Sequence, residues 1–210
     1  MAPAEQGRLM LLWWIARGTG VAALVAFTVA TAAGALTSGS RGRSSLAVER
    51  RFLVQMLHRS AAVTGLVLLL VHAVTIVADA YVDVSATSTV LPFTSAYEPF
   101  AVGLGSLALW AFVATSVSGA VRGRLASSAP ASRGWRAVHC LAYVGWALSI
   151  GHGFLAGTDS GTPWLLAVYA ACVALVAAAV AQRLRAARTH ARSPLTRARQ
   201  QSAQQTGSTR

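Results

Sequence analysis

Five segments of this chain, about residues 11 to 36, 52 to 80, 98 to 121, 136 to 157 and 162 to 182, are apolar over the length of a bilayer crossing. A spanning helix needs about 20 mostly apolar residues, so each segment predicts one transmembrane helix. The expected fold is all-α, a polytopic membrane bundle of five helices. Composition agrees: 55% of the 210 residues are hydrophobic and 11% are charged, far from the balance of a soluble domain.

The formal charge of +12 comes from eighteen basic residues, all arginines, clustered in connecting segments and in the C-terminal tail. No basic face on a folded domain accompanies them, so nucleic acid is not the expected partner. Their distribution reads as topology, because positive residues in short loops stay cytoplasmic. Arg41, Arg43, Arg50 and Arg51 lie between the first two spans, Arg122, Arg124, Arg133 and Arg136 between the third and fourth, and seven arginines follow Ala181. The connections 81–97 and "GTDSGTP" have none. The N-terminus is therefore expected outside and the C-terminus in the cytoplasm, in a bacterial-type cytoplasmic membrane. A cleaved signal peptide over 1–35, with Arg8 before an apolar run ending in "TAAGA", is the competing view; it would place the arginine-rich loop outside, against the charge rule.

The domain reading is a short N-terminal segment (1–10), a membrane domain (11–185) and a disordered, arginine-rich tail (186–210) with no apolar period. His190 lies in that tail and has no assigned role. Ser44 or Ser45 offers a cap for a second helix expected to run unbroken through His72 to about Asp79. The connection "ADAYVDVSATSTVLPFTSAYEPF" is apolar for a loop and is expected to cover part of the bundle. Trp13, Trp14, Tyr81, Tyr97, Trp135 and Trp164 fall near segment ends, where aromatic residues anchor at the interface. Cys140 and Cys172 lack any C-x-x-C partner and read as small apolar residues.

Four of the five histidines stand in two of these helices: His58 and His72 in the second, His139 and His152 in the fourth. Ionisable residues at membrane depth tend to be functional. One antiparallel span separates the two helices, so they run in the same direction and His58 shares a level with His139, His72 with His152. At about 1.5 Å per residue the two levels lie roughly 20 Å apart, too far for one metal ion. The spacing of fourteen returns His72 to within about 40° of His58, whereas thirteen leaves His152 about 140° from His139; a local distortion near Gly145 or Gly151, or haems set off to one side, would absorb the difference. Gly65, seven residues from each histidine of its helix, leaves room for a planar group or a neighbouring helix.

A structural zinc site wants four ligands and a catalytic one three, and only Cys140 and Asp79 lie near as extras. Haem iron needs two axial ligands, which each level supplies. Arg17 and Arg59 stand where haem propionates could be reached, snorkelling being the simpler account of Arg59.

With "LHRSAAVTGLVLLLVH" and "VHCLAYVGWALSIGH" in the first and third of three consecutive spans, residues 11 to 185 resemble the ferric reductase-like transmembrane domain. That domain is shared by ferric reductases, NADPH oxidases and the haem-binding membrane subunit of the methionine sulfoxide reductase system. The resemblance implies two haem b groups that carry single electrons across the bilayer, with His58 and His139 on the inner haem and His72 and His152 on the outer one. It also implies a cytoplasmic flavin as donor and an acceptor outside. This chain carries no G-x-G-x-x-G, so no flavin or NAD(P) site is expected in it; a separate reductase, flavoprotein or quinone is the expected donor, and the resemblance implies a haem-binding membrane subunit of an oxidoreductase. Asp79, Asp83, Glu98 and Asp159 are too scattered to form an iron site on the outer side. Two readings from other classes use the same histidines: a non-redox metal or proton transporter, and a structural membrane partner whose imidazoles hydrogen-bond across helices.

Overall fold

The computed structural model describes residues 3–37, 44–79, 82–122 and 129–191. Among these there is no strand. The helices are α1 (Pro3–Thr37), α2 (Ser45–Ala78), α3 (Ala86–Val90), α4 (Pro99–Ala120), α5 (Ala129–His139), α6 (Leu141–Ala156) and α7 (Pro163–Ala191). Five stretches are long and apolar enough to cross a membrane: Met10–Thr37, Ser45–Ala78, Pro99–Ala120, Ser132–Ala156 and Pro163–Arg188. The chain is a multi-pass membrane protein of helical type.

Local chemistry sets several helix ends. Ser44 caps α2 by accepting from the Ala47 amide at 3.3 Å, and Asp79 ends the helix, its own N–H donating to Ile76 O. The side-chain oxygen replaces an intrahelical acceptor that the first turn lacks. Proline opens α4 and α7, where its missing N–H costs nothing. α1 is helical from Pro3, ahead of the apolar stretch that begins at Met10, and α7 stays helical to Ala191. The rest of that tail, 192–210, lies outside the described residues, as do Arg41, Arg43, Tyr81 and Arg124.

The fourth span is not one helix. α5 closes on His139, with Cys140 N–H reaching Arg136 O at 2.9 Å, and Tyr143 N–H then bonds Cys140 O at 3.1 Å, a tighter i to i+3 step. The break thus falls at Cys140, directly after His139, and not near Gly145 or Gly151. Counting 100° per residue fails across such a break, which is how a spacing of thirteen can present both imidazoles. Gly145 serves packing instead: a Cβ there would meet the Ala111 side chain of α4 at 2.9 Å.

α1 is the hub, packed along α2, α6 and α7, while α4 packs along α5 and α6. α2 and α6, the helices of His72 and His152, are not a packed pair; each leans on a neighbour. Val63, Val67, Leu70 and Val74 line one face of α2 and are exposed, the apolar stripe that a lipid-facing helix presents. The loop after α2 does cover part of the bundle. α3 lies on α4, held by Ser106 Oγ donating to Ser88 O at 3.0 Å and by Trp110 Nε1 donating to Val90 O at 2.8 Å. Phe93 fills the space left by Gly103 and stacks on Phe100.

Candidate functional site: two imidazole pairs

The structure brings the four histidines together as two pairs. The rings of His58 and His139 are 6.1 Å apart between centroids, and those of His72 and His152 are 6.2 Å apart. The ring planes cross at 68° and 77°. Because His58 and His72 share the unbroken helix α2, the levels lie about 21 Å apart along its axis. A first-row metal binds an imidazole nitrogen at about 2.0–2.1 Å, and that nitrogen lies roughly 1.1 Å from its ring centre, so two imidazoles on opposite sides of one ion have centroids about 6.3 Å apart. Both pairs stand at that separation.

Their hydrogen bonds fix the tautomers. Nδ1 of His58 lies 2.7 Å from Ala30 O, Nδ1 of His72 2.7 Å from Ala16 O, and Nδ1 of His152 2.8 Å from Ala101 O. A carbonyl can only accept, so each Nδ1 carries the proton and Nε2 of the neutral ring keeps its lone pair. His139 reaches the same state by another route. Ser118 Oγ donates its proton to Thr115 O at 2.7 Å, which leaves it an acceptor for His139 Nδ1 at 3.3 Å. An imidazole that donates through one nitrogen to a backbone or hydroxyl oxygen is the form in which histidine usually meets a metal.

Among the described residues no three His, Cys, Asp or Glu side chains converge to hold a metal. Each level offers two nitrogens, short of the three or four ligands of a zinc site and equal to an axial pair.

The glycines around the rings were not singled out from the sequence. Gly20 and Gly34 of α1 face His72 and His58, and Gly105 and Gly119 of α4 face His152 and His139. Their spacing of fourteen within each helix repeats that of His58 and His72, a signal open to anyone who asks which helix lies opposite. Gly65 does make room for a planar group, and that group is the ring of Phe27, 3.0 Å from where its Cβ would stand. Phe27 stacks on Phe112 with centroids 3.7 Å apart and planes 4° from parallel. Phe27 lies seven residues from Gly20 and from Gly34, and Phe112 seven from Gly105 and from Gly119, which sets the stack midway between the histidine levels. Trp146 packs against it, its indole donating to Thr28 Oγ1 at 2.9 Å.

Arg17 forms an ion pair with Asp159 at 2.7 Å, donates to Thr158 Oγ1 at 2.5 Å and lies over the Trp13 ring. Arg59 is exposed. Trp135, expected to be an interface anchor, does more: it donates to Ser118 O at 2.9 Å, stacks on the His139 ring at 5.1 Å and carries Arg122 over its own ring at 4.8 Å. Arg122, which in the sequence marks only topology, is therefore a cation near the His58–His139 level. Cys140 is exposed at the helix break, and Cys172 is buried in an apolar cluster with Leu24, Leu165 and Tyr169. Comparison with protein families, with curated proteins and with solved structures returned no match to this chain.

Proposed function

We propose that this chain is a di-haem b electron-transfer protein of the ferric reductase-like kind, carrying electrons across the cytoplasmic membrane. The observation that carries the reading is the two imidazole couples, each with ring centroids at the separation of an axial pair and each ring with its Nδ1 committed to a hydrogen bond elsewhere. His58 and His139 would hold the inner haem, His72 and His152 the outer one. Haem b supplies, when bound, a reversible one-electron carrier at each level.

The chain's own residues do the rest. Ala16, Ala30, Ala101 and Ser118 orient the ligands. Phe27, Phe112 and Trp146 fill the apolar space between the levels, so that water and ions do not follow charge across. Arg59 and Arg122 put cations beside the inner level for carboxylates to pair with, and Arg17 does so at the outer level while paired with Asp159. The arginine-bearing ends face the cytoplasm, the N-terminus lies outside, and a separate flavoprotein, reductase or quinone on that inner side is the donor. The packed aromatic midplane weighs against the transporter reading, because a path for metal ions or protons needs polar groups there.

A reduced-minus-oxidised spectrum of the purified protein, with haem quantified per polypeptide, tests this. About two low-spin haems with bis-imidazole bands are expected. A protein that stays colourless after expression with ample haem would refute the reading and leave the histidines as cross-helix hydrogen-bonding groups.

A further inference from the structure

Three of the four imidazoles reach their acceptors by one construction. His72 takes the carbonyl of Ala16, four residues before Gly20; His58 takes Ala30, four before Gly34; His152 takes Ala101, four before Gly105. In a helix the carbonyl at n−4 accepts the N–H of residue n and keeps a second lone pair. The side chain at n leans toward the helix N-terminus and covers that carbonyl. Only a residue without a Cβ leaves the lone pair open to a ring arriving from another helix.

The clearances agree. A Cβ would lie 3.0 Å from His72 Nδ1 at Gly20, 3.1 Å from His58 Cε1 at Gly34 and 2.8 Å from His152 Nδ1 at Gly105. Each is tighter than an ordinary van der Waals contact, and the neighbour is a ring whose position is already fixed by its hydrogen bond. The fourth position is built differently: Gly119 would leave 3.5 Å to His139, which uses the Ser118 hydroxyl instead.

We propose that Gly20, Gly34 and Gly105 are positioning residues for the metal-binding imidazoles: by baring the n−4 carbonyl they hold His72, His58 and His152 as Nδ1–H tautomers with Nε2 presented as ligand. The inference rests on the di-haem reading. It assigns the glycines to levels, Gly20 and Gly105 to the outer one and Gly34 to the inner one, so that damage at one glycine stays at one level.

The test compares wild-type protein with Gly18→Ala, Gly34→Ala and Gly105→Ala by haem per polypeptide, low-spin electron paramagnetic resonance and redox titration. Gly18 has open space where a Cβ would stand, so its variant reports any general cost of altering α1 and is expected to match wild type. Gly105→Ala is expected to lose one of the two haem signals, the same one that His72→Ala loses. Gly34→Ala is expected to shift the g values and midpoint potential of the other signal alone. Both haems retained in Gly105→Ala with unchanged resonance and potentials would overturn the inference, and so would joint loss of both signals from Gly34→Ala and Gly105→Ala, which would mean that the whole bundle depends on these positions. A wild-type protein without haem refutes the parent reading; a haem-loaded wild type with silent glycines refutes this inference only.

Discussion

Replacing His72 by alanine leaves one nitrogen donor at its level, since no third ligand converges there among the described residues. The other pair stands about 21 Å away along α2, beyond any direct contact with the change. On the di-haem proposal, haem content should therefore fall from about two per chain to about one, and the remaining haem should keep its spectrum and potential. Because the two ligands of a level act as one unit, His72→Ala with His152→Ala should lose no more than either alone, so the two losses are grossly non-additive. His58→Ala should spare what His72→Ala removes and remove what it spares. Pyridine haemochrome quantification with redox titration of each variant reads all of this. Two unaltered low-spin haems in His72→Ala, or a double variant that loses twice what each single loses, would refute the pairing by levels.

Three other changes test the bundle itself. Thr28→Val keeps the shape of a side chain that is 2% exposed but strips the Trp146 indole of its acceptor; a loss of about 1–3 kcal/mol is expected in reversible unfolding in detergent, and an unchanged midpoint would count against the bond. Gly65→Ala sets a methyl 3.0 Å from the Phe27 ring, so the ring must shift against its stack on Phe112; it should cost about 1–3 kcal/mol and weaken the near-ultraviolet dichroism of the Phe27–Phe112 stack. Asp159→Asn breaks the ion pair with Arg17, whose partners are 22% and 37% exposed, so the loss should be only about 0.5 kcal/mol and should shrink further in high salt, as thermal melts at two ionic strengths would show.

What the sequence made legible was written within single segments. Apolar run length marked the five spans, and histidines one fixed distance apart on a single helix announced two levels before any partner was known. Ser44 and Asp79 could be read as the ends of α2 because capping is local. What stayed hidden depends on what lies opposite. Nothing about Gly20, Gly34 or Gly105 as letters tells them from the rest of the chain's eighteen glycines; their meaning is a ring from another helix. The break at Cys140 has neither proline nor glycine to mark it, and the only trace was the phase mismatch between His139 and His152. Trp135 sat at a span end as an anchor would, and its stacking on His139 follows from a fold-back of α5 on α4 that no hydropathy window reports. Likewise α3 is too short to carry a period of its own and is held by Ser106 and Trp110 from the following helix.

The central place of α1 bears on how such a protein is built. α1 precedes in the chain each of the helices that pack on it, α2, α6 and α7, so a nascent chain inserting its spans in order lays down the post before the walls. α2 can fold back on α1 at once, and α4 must wait for α5 and α6 to find its own main partners. Until then the surface of α1 lined by Leu24, Ala32 and Ala35, which later receives α7, faces lipid or an insertion factor. Its small residues suit that interval, since alanine loses little by waiting in lipid and lets a late helix settle closely when it comes.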